Sequence, residues 1–182
     1  MKCRLNAIKL IILMSLITIS CSKNDDNSNR LSQQGTYINY SVAGNQINNT
    51  FNIVIEDLNN TNVTAYGNIY PEDESANLKS ALVLFVDQNQ RINVGMSIPA
   101  RTGLVEILDG HPTFDLLFGF EDVGMEAKSI SVNVEEIEHN DIYVIHIKGT
   151  FEGIAVDVHE ENGIEIEETY IVNGEFQYNV PQ

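Results

Sequence analysis

Apolar residues recur at every second position through much of this chain. Ile130, Val132 and Val134 alternate with Ser131, Asn133 and Glu135, and Tyr143, Ile145 and Ile147 alternate with Val144, His146 and Lys148. Phe176, Tyr178 and Val180 alternate in turn with Gln177 and Asn179. Successive side chains of a strand point to opposite faces, so a period of two in β-branched and aromatic residues predicts half-buried strands. Beyond residue 20 no stretch keeps a helical period over three turns. The nearest is SANLKSALVLF, residues 75–85, and its end runs into VLFV, which reads as a buried strand.

Turn signals punctuate this pattern at Ala43-Gly44-Asn45, Asp87-Gln88-Asn89, Asp109-Gly110, His139-Asn140-Asp141, Asn162-Gly163 and Asn173-Gly174. The Asn-Gly pairs are the strongest, because a type I′ hairpin needs positive φ at both central positions. They divide the C-terminal third into strands 154–158, 164–172 and 176–180, an antiparallel meander. Gly149 and Gly153 flank Thr-Phe-Glu, and the apolar set changes parity from Phe151 to Ile154, which predicts a bulge and a corner between sheets. Near-regular spacing over residues 36–182 implies one all-β domain, an antiparallel β-sandwich or an open barrel.

The start of the chain is different. Lys2, Arg4 and Lys9 precede an apolar stretch from Leu10 to Ile19, broken by Ser15 and Thr18. That stretch is about half of the ~20 residues a spanning helix needs, so residues 1–20 read as a cleaved signal peptide. Small Ser20 lies just before Cys21, and no A-x-A-like cleavage site is present. From Ser22 to Gly35, SKNDDNSNRLSQQG holds one aliphatic residue and has too little apolar surface to offset its ordering entropy. It is expected to be a disordered tether reaching ~20 Å.

Loss of Lys2, Arg4 and Lys9 with the signal peptide leaves 7 basic against 26 acidic residues, a formal charge of −19. Such a chain repels nucleic acid, polyphosphates and anionic lipid surfaces.

The aliphatic run closing on Ser20-Cys21 resembles the lipobox of bacterial lipoproteins, with Thr18 where leucine is usual. The resemblance implies cleavage between Ser20 and Cys21 and a diacylglycerol on the Cys21 sulfur. Cys3 then departs with the signal peptide, and no disulfide remains possible. Several acyl chains, at ~0.8 kcal/mol per buried methylene, anchor a protein far more firmly than one myristoyl group. IKGTFEG (147–153) and IVNGEFQYNV (171–180), with an opening YSVAGNQI (40–47), are similar to a family of uncharacterised lipoprotein domains of Bacteroidetes-type bacteria. That family implies a compact β-sandwich without assigned functional residues. Asp25 and Asp26 partly resemble the acidic signal that sends such lipoproteins to the outside of the outer membrane; the periplasmic leaflet is the alternative.

Catalysis needs a nucleophile or a paired acid and base. No G-x-S-x-G, H-E-x-x-H, S-x-x-K or glycine-rich phosphate loop occurs. His146 and Lys148 share one face of a strand and are expected to be solvated; His139 and His111 fall in turns. Glu135-Glu136, Glu160-Glu161 and Glu167-Glu168 offer carboxylates, but neighbours on a strand point to opposite faces, and the chain has no tryptophan to stack a sugar. DVHEENGIEIEE (157–168) superficially matches an EF-hand loop, yet its glycine stands at position seven, Gly163, instead of six. A weak Ca²⁺ site from Asp157, Glu160 and Glu161 is the remaining metal expectation. His159 beside Asp157 points toward zinc, but two ligands fall short of a site.

These features together predict a lipid-anchored, non-enzymatic module on the outer membrane, without cofactor, that binds a protein or a glycan and no nucleic acid. A small surface hydrolase acting on glycans or esters, and an accessory subunit of an envelope complex, are the competing classes.

Overall fold

The computed structural model describes residues 35–180 other than 46, 57–60, 74–77, 112 and 122, so Ser20, Cys21 and the tether up to residue 34 lie outside the described residues. Ten strands and no helix make up the described residues. They are β1 (Thr36–Gly44), β2 (Ile47–Ile55), β3 (Val63–Asp73), β4 (Leu78–Asp87) and β5 (Ile92–Pro99). β6 (Gly103–Leu108), β7 (Asp115–Phe120), β8 (Val123–His139), β9 (Val144–Glu161) and β10 (Ile164–Asn179) follow.

All pair antiparallel in one sheet of order β2-β1-β10-β9-β8-β7-β5-β4-β3, with β6 on β8. The sheet curls until its edge strands β2 and β3 lie side by side, nearly closing a barrel. Of the two expected architectures, the open barrel is the one present. Near-closure matters because an exposed edge offers unpaired backbone groups to other chains.

The inward face carries the core. Ile38, Tyr40 and Val42 of β1 are buried, as are Ala81, Val83 and Phe85 of β4 and Ile130, Val132 and Val134 of β8. A run of rings crosses the interior from Phe120 to Phe51, Tyr40, Phe118, Phe151 and Phe176, with successive centroids 5.0, 5.0, 5.6, 5.6 and 6.5 Å apart. Each fully buried side chain of this size contributes roughly 1.5–3 kcal/mol relative to exposure.

Asn162-Gly163 forms the expected two-residue hairpin, with φ of 54° and 78°. Asn173-Gly174 does not turn; it lies inside β10. Gly174 pairs with Tyr40 on one side and Phe151 on the other, and Gly149 pairs with Phe176. A Cβ on Gly174 would stand 2.5 Å from the Asn39 carbonyl oxygen and 2.8 Å from the Phe151 ring. One on Gly149 would stand 2.9 Å from the Phe176 ring. Each glycine therefore makes room for the aromatic ring on the opposite strand.

The predicted corner at Gly153 is also absent. β9 runs through it, inward parity passes from Phe151 to Ala155, and Ile154 faces out at 39% exposure. The irregularity lies across the ladder in β8, where the register skips Lys128 and a Gly153 Cβ would approach the Ser129 oxygen to 2.2 Å. A second skip, at Ile145, puts Val144 in the core instead of Tyr143, which is exposed. SANLKSALVLF enters β4; its residues 75–77 lie outside the described residues.

Candidate functional site

β3 crosses the seam of the barrel and meets the turn between β8 and β9. Asn68 bridges Tyr143, the Ile69 N–H donates to the Ile142 carbonyl at 2.8 Å, and the Val180 N–H donates to the Ile145 carbonyl at 2.8 Å. Between these segments and the β1–β2 edge opens a cleft of about 380 Å³. Its apolar walls are Ile55, Val63, Ala65 and Val180, and its rings are Tyr66, Tyr143 and Tyr178.

The strand period explains the arrangement. In β3, Gly67 and Ile69 turn inward while Tyr66 and Asn68 turn out, so Tyr66 is 56% exposed. Tyr143 is 52% exposed and Tyr178, whose ring lies against Gly67, is buried. Burial pushes the Tyr178 hydroxyl up, opposed by a hydrogen bond with the Gly67 backbone, so it is a neutral phenol at physiological pH. Asn68 and Thr64 add an amide and a hydroxyl to the walls. Thr36 and Asn179 close one end through reciprocal bonds of 3.0 and 2.9 Å between the Thr36 hydroxyl and the Asn179 backbone. The cleft thus combines mostly apolar walls, amphipathic rings and a few polar groups, the usual make-up of a ligand site. A shallower depression of about 480 Å³ on the outer face, lined by Ser131, Asn133, Thr150 and Asn173, offers hydroxyls and amides but no exposed ring.

Gly35, expected as the end of the tether, is tied to β10. Its carbonyl accepts from Gln177 Nε2 at 3.1 Å and Asn179 Nδ2 at 3.2 Å.

The histidines do separate things. His111 Nδ1 accepts the Thr113 and Phe114 N–H groups at 3.2 and 3.0 Å, and its ring stacks on Phe114. His139 Nδ1 lies 2.9 Å from the Asn140 carbonyl. His146, expected on a solvated face, is half-buried. Its Nδ1 is 2.7 Å from Asn179 Oδ1, and its Nε2 stands 3.4 Å from Glu136 Oε2 without a hydrogen bond. Beside it Lys148 meets Glu135 at 3.3 Å. Glu135 and Glu136 thus reach toward one face, against expectation, because the register skips Glu135 between Val134 and Glu136.

Glu167 and Glu168 do point apart, the first to Lys128, the second to the Tyr170 hydroxyl at 2.7 Å. That hydroxyl, with Asn45, holds the Glu168 carboxyl below its ordinary range. Of the residues expected to hold Ca²⁺, Asp157 lies on the inward face of β9, while Glu160 alternates to the other face and Glu161 ends the strand at the turn. The three are not brought together. Among the described residues, the group the fold does assemble is Asp157, His159 and Glu168. Glu168 escapes a strand-by-strand reading because it comes from β10, opposite Asp157. The register set by Asn162-Gly163 is the signal that could have found it.

Comparison with protein-family models, curated proteins and solved structures finds no match for this chain. Fold and site together define a nearly closed, single-sheet antiparallel barrel with a tyrosine-walled cleft at its seam.

Proposed function

We propose that the protein is a lipid-anchored, non-catalytic module of the cell envelope, held at the outer membrane through Cys21, whose seam cleft binds a neutral glycan. The observation that carries the reading is that the exposed rings of Tyr66 and Tyr143 line one cleft together with Asn68 and Thr64. Tyrosine presents an apolar face on which a sugar ring can lie and a hydroxyl that can bond to it, and amides bond to sugar hydroxyls from either side. The formal charge of −19 after processing favours an uncharged ligand over an anionic one. The lipobox-like run before Cys21 and the resemblance to Bacteroidetes-type lipoprotein domains support the anchor, and Asp25-Asp26 supports the outer leaflet over the periplasmic one.

Two measurements test it. Radiolabelled palmitate should enter the full-length protein and not a Cys21→Ala variant. The detergent-solubilised protein should be retained on arrays of neutral glycans. Label in the variant would remove the anchor, and an empty array would remove the ligand.

A second reading, a small hydrolase, is favoured by Glu135, Glu136, His146 and Lys148 meeting on one face, next to Asn179 of the cleft. Turnover of ester or glycoside substrates that disappears in His146→Ala would favour it over simple binding.

A further inference from the structure

We propose that Asp157, His159 and Glu168 form a site for a divalent transition ion of the zinc class. The two-residue turn at Asn162-Gly163 sets the register that places Glu168 directly opposite Asp157, and His159, exposed to solvent, follows on the same face of β9 as Asp157. The three side chains each offer one donor atom, and these atoms lie within 4.8 Å of one another. Donors on a zinc ion at 2.0–2.2 Å in tetrahedral geometry stand roughly 3.3 Å apart, so rotation of side-chain torsions brings this set to bonding distance. Part of the distance is already closed, since His159 Nδ1 is 3.1 Å from Asp157 Oδ2.

The donor set selects the ion. One imidazole nitrogen with two carboxylate oxygens suits zinc and its neighbours, whereas Ca²⁺ takes six to eight oxygens. Three protein donors leave a fourth position open to solvent or ligand. The surroundings fit as well: the Asp157 side chain is only 18% exposed, and the buried Tyr170 donates its hydroxyl to Glu168 Oε2, an outer contact of the kind that orients a metal-binding carboxylate.

The test is equilibrium dialysis of the chelator-treated full-length protein against Zn²⁺, with Co²⁺ absorption reporting the donor set. One Zn²⁺ per chain is expected. His159→Ala and Glu168→Gln should each weaken binding 10-fold or more with unchanged circular dichroism, while Glu160→Gln, Glu161→Gln and His139→Ala bind as the parent does. No uptake, undiminished affinity in both His159→Ala and Glu168→Gln, or displacement of Zn²⁺ by equimolar Ca²⁺ would overturn the proposal.

Discussion

Gly174 of β10 sits directly opposite Phe151 of β9, and two residues along the same ladder the roles reverse, with Gly149 of β9 opposite Phe176 of β10. The two rings thus fold over the two glycines, and they continue the aromatic run through the barrel interior. Gly174→Ala should therefore cost roughly 2–3 kcal/mol in urea denaturation, because its Cβ would press on Asn39 backbone and the Phe151 ring. Gly124→Ala, in open space on the same sheet, should stay within about 0.5 kcal/mol. Equal effects at the two positions would contradict the close-approach account.

Asp87 is buried at the turn between β4 and β5. Its Oδ1 accepts the Asn89 and Gln90 N–H groups at 2.9 and 3.1 Å, and its Oδ2 accepts Gln90 Nε2 at 2.7 Å. Asp87→Ala leaves these donors without that acceptor and should cost about 1–3 kcal/mol. Asp87→Asn keeps an oxygen and should cost less, as thermal melts of both variants would show.

Asp115 gives a pH-dependent outcome. Burial lifts its carboxyl above the ordinary range, and Glu126 and Asp109 add to this against hydrogen bonds to the Leu116 and Ala127 backbone. Its folded pKa therefore exceeds its unfolded one. As pH rises from the unfolded through the folded value, the native state gives up a proton it holds more tightly, and stability falls. Asp115→Asn should raise Tm by a few degrees at pH 7, with the gain shrinking toward pH 3. A gain independent of pH would contradict the burial argument.

The strand pattern is legible wherever the ladder is regular, as at Ile130, Val132 and Val134. It misleads at Ile145 and Glu135, because one skipped residue exchanges the faces of a strand, and only the partner strand shows where the skip falls. Asn173-Gly174 carries the same local chemistry as Asn162-Gly163. What separates them is that Gly174 has Tyr40 on one side and Phe151 on the other, contacts that no local window contains. The cleft was hidden for the same reason. Tyr66, Tyr143 and Tyr178 come from three separate segments, and their meeting depends on near-closure of the barrel.

The central claim is that this cleft holds a neutral glycan, and exposed Tyr66 and Tyr143 allow it to be tested without disturbing the core. Affinity electrophoresis of full-length protein through gels containing neutral polysaccharides reads it most directly. The account predicts retarded migration for the parent chain and for Tyr70→Ala, a control outside the cleft lining, with retardation lost in Tyr66→Ala and Tyr143→Ala. Retardation unchanged in both of these variants, or absent from the parent chain, would contradict it.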